Sequence, residues 1–203
     1  MPYQPILGTL AYVLSKDKNK VLMIHRNKNP EDHHYGKYNG IGGKLEPYED
    51  VLSGCKREIW EEAGIECLDI SLRGTISWPG FGKKGEPWFG FIFIVNDWSG
   101  EVMTDNPEGT LEWVAIGDVL NKNLWEGDKY FIPFVFDSKK KLFHGVMPYH
   151  EGKPTSWDYQ FGSRIHLFFL NITLLFPSIS CLLALKQLEL TFVEQNLLRG
   201  YWQ

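Results

Sequence analysis

Residues 42–66 read GGKLEPYEDVLSGCKREIWEEAGIE, and a helix bracketed by two loops is written into them. Val51, Leu52, Cys55 and Ile59 recur at helical spacing, so residues 49–63 are expected to form an amphipathic helix, with Gly64 as its stop. Glu58, Glu61 and Glu62 fall at i, i+3 and i+4, which puts three carboxylates on one face within a turn. Adjacent acids repel, so the helix gains nothing from them alone. A hard divalent cation relieves that repulsion, and Mg²⁺ favours carboxylate oxygens, water and phosphate oxygens. Arg57, four residues before Glu61, is placed to hold a carboxylate through a bidentate contact. Glu49, at the expected helix start, suits the positive end of the dipole. Gly42-Gly43 permits a backbone turn that a Cβ would forbid, with carbonyls close to the acids. An acid-rich helix is most often just a solvated face. The spacing of the whole stretch sets this one apart.

Gly43, five residues, Glu49, seven residues, then Arg57-Glu58-Ile59-Trp60-Glu61-Glu62-Ala63-Gly64-Ile65 resembles the Nudix box at every constrained position, apolar Ile59 and Ile65 included. The resemblance implies an α/β (α+β) fold, an α/β/α sandwich with a mixed sheet and a loop–helix–loop that holds Mg²⁺ or Mn²⁺ against a diphosphate. It implies a hydrolase of diphosphate bonds. Glu58, Glu61 and Glu62 would be metal ligands, joined by the Gly42 carbonyl. Gly43 would be structural, and Glu49 and Arg57 the pair that orients the helix. Many relatives use a further acid as ligand or base. Glu108, ahead of the strand ending at Trp113, is the candidate, in preference to Glu112.

The likeness runs past the box, to about residue 159. Gly36-Lys37-Tyr38-Asn39-Gly40, Leu124-Trp125-Glu126-Gly127-Asp128 and Lys141-Leu142-Phe143-His144-Gly145 are similar to segments of MutT-type enzymes that hydrolyse oxidised purine nucleotides. By that resemblance Asn39 hydrogen-bonds a purine base, Trp125 stacks on it and Asp128 reads its Watson–Crick edge. The chemistry agrees: a carboxylate accepts from purine N–H groups, an amide donates and accepts, and indole offers a π-face. Relatives with broad oxidised-purine activity carry two adjacent acids where this chain has Gly127-Asp128. The expected substrate is therefore a purine (deoxy)nucleoside triphosphate, 8-oxo-dGTP or dGTP first, cut to the monophosphate and pyrophosphate in nucleotide-pool sanitation. The competing readings are a hydrolase of a dinucleotide or nucleotide sugar, with the aromatic loop Trp78 to Trp88 (WPGFGKKGEPW) holding a second moiety, and a binding-only domain. The latter usually loses box acids, and this chain keeps them. His33 and His34, on the polar loop Asn27 to Tyr35, are expected to be solvated rather than ligands.

Around this centre the chain divides. Residues 1–160 alternate strand-like and helix-like segments. Strands are expected at Gly8–Ser15, Lys20–His25, Trp88–Asn96 and Leu111–Ile116, and a second helix at Asp128–Phe136 despite Pro133. Residues 161–203 form a hydrophobic extension whose stretch 165–185 reaches bilayer-spanning length. Pro177 and the scarcity of flanking cations favour packing over a membrane contact, and Asn171-Ile172-Thr173 is a chance sequon. At 43% hydrophobic residues the chain can bury a sizeable core. A net charge of −4 argues against direct nucleic-acid binding, while a small nucleotide needs only local cations. Cys55, Cys67 and Cys181 fit reduced thiols, and the N-terminus lacks a signal-peptide pattern. Both point to the cytoplasm.

Overall fold

A computed structural model describes residues 2–103, 106–139 and 141–162. The hydrophobic stretch 165–185 and the sequon therefore lie outside the described residues. Two long strands open the chain, β1 (Ile6–Leu14) and β2 (Lys20–His25), followed by the short β3 (Tyr38–Asn39). Helix α1 (Val51–Ala63) is followed by β4 (Glu66–Trp78), β5 (Trp88–Ser99) and β6 (Thr110–Ala115). A 3₁₀ turn at Ile116–Asn121 leads to α2 (Asp128–Phe136), then β7 (Phe143–Val146), β8 (Tyr149–His150), β9 (Lys153–Pro154) and β10 (Asp158–Phe161).

Among the described residues, eight strands form one mixed sheet in the order β10-β7-β4-β5-β1-β2-β3, with β6 paired to β2. The pairs β1–β5 and β4–β7 are parallel; the remaining neighbours are antiparallel. Strand periodicity explains the layers. On β1, Ala11 and Val13 face one core with Cys55, Ile59 and Ala63 of α1. Their neighbours Tyr12 and Leu14 face the other, with Phe131, Ile132 and Val135 of α2. The expected sandwich, a sheet covered by a helix on each face, is what the chain forms.

Both helices have sequence-level causes. Asp50 caps α1: its Oδ1 accepts from the Leu52 and Ser53 N–H groups at 2.9 and 3.0 Å. Gly64 closes the helix in the left-handed region at φ 71°, its N–H donating to Trp60 O. Helix α2 spans the expected residues and accommodates Pro133 in its interior. The long strand β4 was not expected. Its outer half is mostly exposed and does not alternate, and it is held as a strand by pairing with β5 along its length, with register shifts near Cys67, Asp69 and Leu72.

Candidate active site

The loop before α1 is shaped by one glycine. Gly42 has φ 147°, and a Cβ there would collide with the backbone of Thr9. The turn sends the Gly42 N–H to Glu62 Oε2 at 2.8 Å. A Cβ on Gly43 would lie 2.6 Å from Glu58 Oε2, so the loop backbone is pressed against the acidic face.

Arg57 organises that face. It grips Glu49 bidentately, Nε to Oε2 at 3.0 Å and Nη2 to Oε1 at 2.8 Å. Its Nη1 also donates to Glu58 Oε1 at 2.9 Å and to Glu61 Oε2 at 3.1 Å. Glu49 does not sit in the first turn as expected; it precedes the cap, and Asp50 serves the helix end instead. Glu49 is a clamp for Arg57 and accepts the Glu46 N–H at 2.7 Å.

Glu108 reaches the same face. Arg26 Nη1 donates to its carboxylate, and the pairing holds Glu108 where it interacts with Glu62. Asn106, missed in the sequence, fixes the loop. Its Nδ2 donates to Glu62 O at 2.6 Å, and its Oδ1 accepts from the Glu108 N–H at 2.8 Å. Glu112 points elsewhere, taking hydrogen bonds from Tyr38 Oη at 2.9 Å and His25 Nδ1 at 3.2 Å.

Burial raises the Glu62 carboxyl well above its ordinary range, and Glu108 raises it further, against the pull of the Gly42 N–H. Burial also raises Glu58, opposed by Arg57. Crowded oxygen donors of one sign suit a hard divalent cation. The acids are not gathered into a cage: among the described residues no group of three acids, imidazoles or thiolates stands ready to hold a metal ion. Arg57 engages two of the box acids, and Gly42 and Glu108 engage the third.

A cavity opens from this face into the domain, lined by Gly42, Gly43 and Glu62 and by Asn39, Trp125 and Asp128. Asn39, on β3, keeps its Oδ1 buried with no hydrogen-bond partner. Trp125 Nε1 donates to His34 Nδ1 at 2.9 Å, and Lys37 Nζ lies 5.3 Å from the Trp125 ring centre. Asp128 begins α2 with part of its surface open to the cavity; burial lifts its pKa to about 7, tempered by Lys37.

The polar loop is not simply solvated. His33 is exposed, but His34 lines the cavity, and burial, then Arg26, push its pKa down to about 4. Phe81, from the aromatic loop Trp78 to Trp88, also lines the cavity, as does Tyr149 of β8, which sequence reading missed; their ring centres lie 5.0 Å apart. No local pattern marks Tyr149, because its pairing with Pro79, distant in sequence, brings it in.

Comparison with known proteins fits this geometry. The model of the NUDIX domain matches residues 5–135. The chain belongs to the Nudix family. It is a hydrolase of diphosphate bonds, and Nudix hydrolases generally use divalent metals. It is 28% identical over 141 residues to the Nudix hydrolase YvcI of Bacillus subtilis, covering 68% of this chain and 83% of that one. It is 30% identical over 110 residues to the mouse oxidized purine nucleoside triphosphate hydrolase, covering 54% and 69%. The crystal structure of the mutator MutT protein of Bacillus halodurans superposes with a TM-score of 0.67 at 28% identity, covering 76% of this chain and 97% of that one. Among this Nudix chain's described residues, no helix is long and apolar enough to cross a membrane.

Proposed function

We propose that this Nudix hydrolase cuts a purine (deoxy)nucleoside triphosphate, 8-oxo-dGTP or dGTP first, to the monophosphate and pyrophosphate, in a cytoplasmic role of pool sanitation. One observation carries the reading. Asn39, Trp125 and Asp128 line the same cavity as Gly42, Gly43 and Glu62, which supports a base pocket continuous with a diphosphate site. The relative named for oxidised purine nucleoside triphosphates supports the substrate class.

In this reading Glu58, Glu61 and Glu62 hold Mg²⁺, or Mn²⁺, with the Gly42 carbonyl. When bound, the metal neutralises phosphate charge and polarises the attacking water. Arg57, anchored on Glu49, orients the acids. Glu108, held by Arg26 beside Glu62, serves as further ligand or as base for the water. Trp125 stacks on the base, its ring fixed through His34. The unpartnered Asn39 Oδ1 accepts a base N–H, and ionised Asp128 accepts from the Watson–Crick edge.

A second reading, a dinucleotide or nucleotide sugar, is favoured by Phe81 and Trp88, which the β4–β5 loop and its end bring to the cavity wall. Glu61→Gln tests the common core of both. It should abolish pyrophosphate release while leaving the far-ultraviolet dichroism and melting temperature near wild type. A normal rate would remove the metal-site assignment.

A further inference from the structure

Gly127 stands where the broad-specificity enzymes that this chain resembles carry a second acid. Two other side chains occupy its place. A Cβ on Gly127 would run into Tyr149 Oη and Met147 Sδ. Tyr149 is 7% exposed, and its N–H donates to Pro79 O at 2.7 Å, which pins β8 to the β4–β5 loop. Phe81 packs edge-on against its ring. The phenol oxygen therefore takes the volume of the absent side chain. A phenol carries one proton that it can donate. Burial first, then the charge of Asp128, hold the phenol well above its ordinary pKa, so it remains a donor across the physiological range. Tyr149 and Asp128 line the same cavity.

Resting on the purine-pocket reading above, we infer that Tyr149 is a specificity-determining residue, whose hydroxyl donates to the base beside the group that Asp128 reads. A donor next to an accepting carboxylate complements a carbonyl next to a ring N–H. A 6-oxopurine presents that order at its C6 carbonyl and N1–H. A 6-aminopurine presents the reverse, so the phenol proton faces an amino donor and the carboxylate faces a lone pair. A second acid, accepting or donating with its protonation, would tolerate both. Tyr149 thus narrows the pocket towards 6-oxopurine nucleotides.

Tyr149→Phe removes the oxygen and keeps the ring. The test compares kcat/KM for dGTP and dATP with Mg²⁺ in the full chain, in Tyr149→Phe and in Asp128→Asn. The dGTP-to-dATP ratio in Tyr149→Phe should fall about tenfold, the size of one hydrogen bond lost, with the loss on dGTP and chiefly in KM. Equal losses on both substrates would assign Tyr149 to packing and overturn the inference. An unchanged ratio in Tyr149→Phe beside an altered ratio in Asp128→Asn would overturn it and leave the purine pocket standing. Unchanged ratios in both variants would remove pocket and inference together.

Discussion

Asp128 concentrates the physical tension of the pocket. Its carboxyl keeps its proton up to about pH 7, whereas an aspartate in an unfolded chain releases it near pH ~4. Between those values the native state binds more protons than the unfolded one, so stability falls as pH rises through the window. The accepting role runs the other way, because only the ionised form takes a base N–H. Urea midpoints at pH 5 and pH 8 should therefore show wild type losing stability relative to Asp128→Asn, while kcat/KM of wild type for dGTP rises through pH 7. Parallel midpoints in the two proteins would contradict a raised Asp128. Trp125→Ala should raise KM about tenfold with little change in kcat, since a base–aromatic stack contributes roughly 1–3 kcal/mol. A change confined to kcat would argue against stacking. At this scale much was legible: the Arg57–Glu49 pair and the sharing of one cavity by Asn39, Trp125 and Asp128 follow from spacing and resemblance. His34, Asn106 and Tyr149 were not, because each acquires its role from a partner distant in sequence, such as Trp125 for His34.

The elements carry the next level of control. Helix α1 presents its acids correctly only while both ends hold, and Asp50 supplies the N-terminal hold through two backbone N–H groups. Asp50→Ala should cost about 1 kcal/mol of unfolding free energy, read from denaturant melts, with a smaller loss of turnover. A neutral result would show that the Arg57 clamp alone fixes the helix. Helix α1 was readable because its apolar period matches its burial, and β1, β2 and β5 because they are apolar runs buried on both faces. Strand β4 was not, because its outer residues face solvent on both sides of the alternation and its pairing with β5 supplies the order that its own sequence lacks. Strands β7 and β10 are four residues each, too short for a period to register.

At the scale of the molecule, two cores on opposite faces of one sheet set the loop before α1 and the N-terminus of α2 around a common cavity. The described elements of that arrangement end at Phe161. A chain ending at Gly162 should accordingly keep kcat/KM within about twofold of the full chain, a difference of roughly 0.4 kcal/mol; loss of folding would tie the extension to the domain. The central claim is that this cavity selects a purine triphosphate. Its most direct test is pyrophosphate and product release with Mg²⁺ from dGTP, 8-oxo-dGTP, dATP, 2-oxo-dATP, dCTP, diadenosine tetraphosphate and ADP-ribose. The account expects 8-oxo-dGTP or dGTP to lead the dinucleotide and the sugar nucleotide by at least tenfold in kcat/KM, about 1.4 kcal/mol of discrimination. Fastest cleavage of diadenosine tetraphosphate or ADP-ribose would contradict it.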